Sequence, residues 1–163
     1  VHMDYKSNEL MEKMTEILLK KQALLKEMLA LTCAQTEAIS QENLDELEKL
    51  IEEKQLKIDE IDKLDEKFSG YFDELKKLTG VRDLAELDVS GMPGVKELKE
   101  ATEAVLSIVN EISRAEEVNS NKSRELLDKI GENIKKINQG KKVTNAYYPT
   151  LPNQPSFFVD NKK

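Results

Sequence analysis

Catalysis by an activated nucleophile or a metal-bound water needs Cys, His or clustered carboxylates in a concave site. This sequence has one cysteine, Cys33, one histidine, His2, and 32 Asp and Glu. His2 falls in Val1-His2-Met3, which reads as a cloning remnant ahead of a native start at Met3. On that reading the native chain has no histidine. Cys33 cannot form an intramolecular disulfide or a multi-cysteine metal site, and its place beside an apolar stripe predicts a buried structural thiol. The carboxylates alternate with lysines, as in Glu42-Asn43-Leu44-Asp45-Glu46-Leu47-Glu48-Lys49, the pattern of a solvated helix face. Gly91-Met92-Pro93-Gly94 lacks the Lys-Ser/Thr of a phosphate loop and follows no strand. These observations argue against an enzyme and predict no cofactor and no metal.

Another kind of chemistry, contact with other proteins, fits the residues better. Half of the four Tyr and half of the four Phe sit near the C-terminus, in Tyr147-Tyr148-Pro149 and Pro155-Ser156-Phe157-Phe158. Aromatics gathered on a Pro-containing extension suit a binding module, because disordered tails are normally depleted in them.

The elements that carry these residues are helices. Charged residues make up 35% of the chain and hydrophobics 39%, with no Trp and six Gly, the profile of long helices and coiled coils. The first stripe runs in heptad columns, Leu10, Ile17, Leu24, Leu31, Ala38 and Met11, Leu18, Leu25, Ile39, with Met14 and Met28 between. It predicts one amphipathic helix from about residue 4 to about residue 38. A second stripe has columns Leu44, Ile51, Ile58, Phe72 and Leu47, Ile61, Phe68, Leu75, flanked by Leu50, Leu64, Tyr71 and Leu78. No Gly or Pro separates the two, but the first columns extended past Ile39 land on Glu42, Asp45 and Glu46. One continuous helix would carry its apolar face to another side, so a turn near Ser40-Gln41, with Ser40 as N-cap, is expected instead. Gly80 is the expected C-cap of the second helix, residues 81–87 a short helical turn, and 90–94 a loop.

The third stripe runs from Val95 through Leu98, Ala101, Val105, Ile108, Val109 and Ile112, then Leu126, Leu127, Ile130, Ile134 and Ile137, and is expected to end at Gly140. Between its halves lies the polar interval 116–123, with Glu116, Asn119 and Ser123 at heptad positions. Such an interval either sets the register of the bundle or marks where the C-terminal half can detach. Leu126, Leu127, Ile130, Ile134 and Ile137 are either core or the floor of a groove for a partner's amphipathic helix. The fold class expected is all-α: an antiparallel three-helix bundle or coiled coil of long helices over 4–140, with an extended tail over 141–163.

Net charge is −7, with the tail from Lys141 contributing +3 through four Lys against Asp160. An acidic body disfavours nucleic acid, and four lysines split between the two ends of the tail are too scattered for a lipid-binding cluster. No stretch approaches the length of a membrane span and no signal-peptide core is present, so no membrane insertion and a cytoplasmic location are expected.

Ser40-Gln41-Glu42-Asn43-Leu44-Asp45-Glu46-Leu47 followed by Glu52-Glu53-Lys54 is similar to the opening of the second helix in the FlgN family of flagellar export chaperones, and the order of elements resembles that family too. Leu78-Thr79-Gly80-Val81 looks like the ending of that helix, and Asn119-Ser120-Asn121 with Leu126-Leu127 resembles the family's third-helix stretch, although Leu126 is displaced from the family's spacing. The resemblance covers nearly all of 3–163. It implies a cytoplasmic chaperone that binds terminal helices of hook-associated (filament-junction) proteins through its C-terminal region and prevents their premature assembly before type III secretion. It also implies docking on the export gate through an aromatic residue near the C-terminus, here Tyr147 or Tyr148. From the residues alone, Tyr147, Tyr148, Phe157 and Phe158 are expected to anchor the tail on an apolar helix face around 130–137, of this chain or of a second copy, and a homodimer is compatible with the pattern. The rival reading is a static coiled-coil scaffold, which would need neither the polar interval nor the aromatic tail.

Overall fold

The computed structural model describes residues 5–88 and 94–147, with side chains described through residue 142. The described residues form three long helices, α1 (Tyr5–Ser40), α2 (Leu44–Thr79) and α3 (Val95–Tyr147), with a 3-10 turn at Leu84–Glu86 between the second and third. No strand occurs among them, and the architecture is an all-α helical bundle. None of these helices is long and apolar enough to cross a membrane.

The first stripe buries as its spacing dictates. Leu10, Met11, Met14, Ile17, Leu18, Leu25, Met28, Ala38 and Ile39 are all buried, three and four residues apart along one face of α1. That face ends in a tight reversal. Glu42 lies in the left-handed region, φ 57°, with its N–H donating to the Ile39 carbonyl (3.0 Å), while the Asn43 N–H donates to the Ala38 carbonyl (2.9 Å). These two bonds satisfy carbonyls that the last turn of α1 would otherwise orphan.

The N-cap expected at Ser40 is three residues late. Asn43 is the cap: its side-chain oxygen accepts from the Glu46 N–H at 3.1 Å. Ser40 is still inside α1, where its hydroxyl donates back to the Thr36 carbonyl at 3.0 Å. The chain needs residues 41–43 to reverse direction, and a short hydroxyl within reach of its own helix bonds there first.

α2 begins with Asp45 and Glu46 and ends with Lys76 and Lys77, charges that complement the helix dipole. Gly80 closes it as expected, at φ 73°, with its N–H donating to the Lys76 carbonyl at 2.8 Å. The second stripe is only partly covered: Leu50, Ile61 and Leu75 are buried and Ile58, Phe68, Tyr71 and Phe72 half-buried, whereas Leu44 and Ile51 stay exposed. The 3-10 turn at Leu84–Glu86 sits inside the expected segment 81–87, and Val81 and Leu87 on either side of it plug the core. The expected loop at 90–94 lies, except for Gly94, outside the described residues.

α3 contributes Val95, Leu98, Ala101, Val105, Ile108 and Ile112 to the same apolar core. It does not stop at Gly140, as its sequence led us to expect, but continues to Tyr147. A glycine inside a helix costs about 1 kcal/mol of propensity yet keeps both backbone hydrogen-bonding groups, so without a proline it cannot end the helix by itself. The chain divides into two compact units, Val1–Asn119 and Ser120–Lys163. Every buried residue among those described belongs to the first.

Candidate functional site

The polar interval in α3 resolves into a buried polar layer at the end of the first unit. Beyond Ile112 the next inward positions are Glu116 and Asn119 rather than aliphatics. Asn119 is buried; its side-chain nitrogen donates to the Thr32 carbonyl at 2.9 Å, and its oxygen accepts a hydrogen bond from the Thr36 hydroxyl. The Thr32 hydroxyl donates to the Met28 carbonyl at 2.7 Å, so that side chain is satisfied within α1.

Beside it, Lys54 of α2 reaches across to both other helices. Its ammonium donates to Gln35 Oε1 at 3.0 Å and forms an ion pair with Glu116. Burial pushes the Lys54 ammonium below the ordinary lysine value of 10.5, even with that counter-charge at hand. The layer joins α1, α2 and α3 with directed bonds, and such bonds are satisfied in one register only. Of the two readings of the interval, register setting therefore has a geometric basis.

Sequence reasoning found Glu116 and Asn119 but missed their partners. The signal was there: Thr32 occupies the column of Met11, Leu18, Leu25 and Ile39, and Lys54 that of Leu47, Ile61, Phe68 and Leu75. Polar residues standing in apolar columns on facing helices were the layer in sequence form.

Cys33 corrects a third expectation. The thiol is exposed, not buried. It follows Thr32 by one residue, about 100° around the helix, so it leaves the buried line of Met28, Thr32, Gln35 and Ile39.

The second unit is built differently. Its described part is the helix from residue 120 to Tyr147, roughly 40 Å of α3 at 1.5 Å per residue. On it Leu126, Ile130 and Ile134 are half-buried, while Leu127 is 67% and Ile137 53% exposed. These five residues fall within one helical face of about 100°. The Tyr147 backbone ends α3, but its side chain lies outside the described residues, as do Tyr148, Phe157 and Phe158. The expected packing of those rings against 130–137 falls outside them too.

A surface groove of about 450 Å3 between α1 and α2 is lined by Lys20, Ala23, Leu24, Glu27, Lys63 and Leu64, among others. It brings no cysteine or histidine with it. No group of three or more His, Cys, Asp or Glu among the described residues is placed to hold a metal ion.

The described residues thus hold long helices tied by a buried polar layer, and a helical segment that shows Leu127 and Ile137 to solvent. The family model described as FlgN protein matches residues 3–150, and the chain belongs to that family, whose members are flagellar export chaperones. No curated protein and no solved structure matches the chain significantly.

Proposed function

We propose that this chain is a cytoplasmic chaperone for hook-associated, filament-junction proteins, keeping them from assembling before type III export. Leu126, Leu127, Ile130, Ile134 and Ile137 receive a terminal amphipathic helix of the client. The C-terminal end of the chain docks on the export gate through Tyr147, the last residue of α3, or Tyr148, with Phe157 and Phe158 as further anchors. The observation that carries the reading is the exposure of Leu127 and Ile137 on the face they share with three more aliphatics, in a unit whose described part holds no second element. Large aliphatics in such a row are the anchors a groove-binding helix uses.

Calorimetric titration of the full chain with a purified hook-associated subunit tests the proposal. Saturable binding is expected, and it should disappear when the subunit's terminal helices are removed. Equal binding of the truncated subunit, or none by the intact one, would refute it.

A further inference from the structure

The charge of the second unit states which kind of helix it receives. Ser120–Lys163 holds nine Lys and Arg against four Asp and Glu, a net +5, whereas Val1–Asn119 holds 16 against 28, a net −12. The positive charge is patterned along α3. Lys122, Lys129 and Lys136 recur at intervals of seven and so form one column. That column falls about 40–80° from Leu126, directly beside the apolar face. With Ile130 and Ile137 at heptad position a and Leu126 at d, Leu127 and Ile134 take e and the three lysines take g. Position g is where paired helices exchange charge and choose partners. Glu125 and Glu132 lie three or four residues from these lysines and on the far side of the column from the apolar face, so the lysines stand between the carboxylates and the seam, and the Glu132 carboxylate also stands 3.9 Å from Lys135. The flank that borders the seam is therefore basic.

We propose that the occupant of this face is an amphipathic client helix carrying Asp or Glu along the flank that meets Lys122, Lys129 and Lys136. The inference rests on the client-binding reading above and adds the charge of the partner. A partner helix with lysines on that flank would set like charges opposite one another across a partly desolvated seam, which destabilises pairing and so makes the column a specificity filter.

Two synthetic helices of about three heptads, with the same leucine seam but flanked by Glu in one and by Lys in the other, test this with the full-length chain. At low salt the Glu-flanked peptide should bind about five- to tenfold more tightly, and the preference should shrink at high salt. A K122E/K129E/K136E variant with unchanged helicity and melting temperature should reverse the preference. Equal affinity, preference for the Lys-flanked peptide, no binding of either, or a preference that the variant leaves intact would overturn the proposal. So would self-association of the wild-type chain that the variant abolishes, because the column would then serve a second copy. A hook-associated subunit run in parallel separates the two levels. If both the wild type and the charge variant bind it equally, the client reading stands and the charge filter fails. If neither binds it while the peptide preference holds, the filter stands and the assigned client is wrong.

Discussion

Asn119 is held at both ends of its amide, donating to the Thr32 carbonyl and accepting from the Thr36 hydroxyl, with the side chain buried. Asn119→Ala removes both bonds and leaves buried polar atoms without them, which should cost about 1–3 kcal/mol. Urea unfolding followed by circular dichroism measures this; a change under about 0.3 kcal/mol would mean that the layer is neutral to stability. At Glu42 the backbone rather than a buried side chain is at issue. It holds a left-handed φ of 57° in a turn whose geometry favours glycine, so Glu42→Gly should stabilise the chain by about 0.5–1 kcal/mol, read as an upward shift in the unfolding midpoint. Neither residue's conformation was legible in isolation. Ser40 looks as good a cap as Asn43, and the choice depends on how many residues the reversal consumes, which is decided where the two helices pack rather than by the type of either residue.

The helices themselves were legible because their apolar columns are long and consistent. The phase jump between Ile39 and Leu44 called for a hairpin even though no Gly or Pro marks it, and α1 ends at Ser40 with α2 starting at Leu44. Gly80 as a C-cap was legible for the same reason: a periodic stripe ends there. Gly140 misled because an apolar stripe that stops is not a helix that stops; the backbone continues to Tyr147 through Lys141 and Lys142 with no proline to interrupt it. Cys33 misled because adjacency to a stripe in sequence is a quarter-turn away from it on the helix. The face from Leu126 to Ile137 was legible as apolar, but the exposure of Leu127 and Ile137 on it was not, since periodicity records which residues share a face and not what lies against it. Because no described residue beyond Asn119 is buried, a chain ending after Gly140 should unfold within about 0.5 kcal/mol of the full chain. Its helical signal should fall only by the residues lost. On the proposed gate-docking role, binding to the export gate should weaken in the same truncation; a large loss of stability would instead mean that the tail is part of the core.

Taken whole, the proposed role assigns stability to the first unit and recognition to the second. The first unit holds the buried core and a net charge of −12, the second the exposed apolar face and a net charge of +5. On the proposed role a chaperone gains from that division, because a helix that receives clients can present aliphatics to solvent without its exposure weakening the core. The most direct measurement of this account is amide hydrogen exchange on the full chain, alone and with a saturating hook-associated subunit. Binding through Leu126, Leu127, Ile130, Ile134 and Ile137 should slow exchange in residues 123–140 and leave α1 and α2 as they were. Slowing confined to α1 and α2, or no change along 123–140, would contradict it.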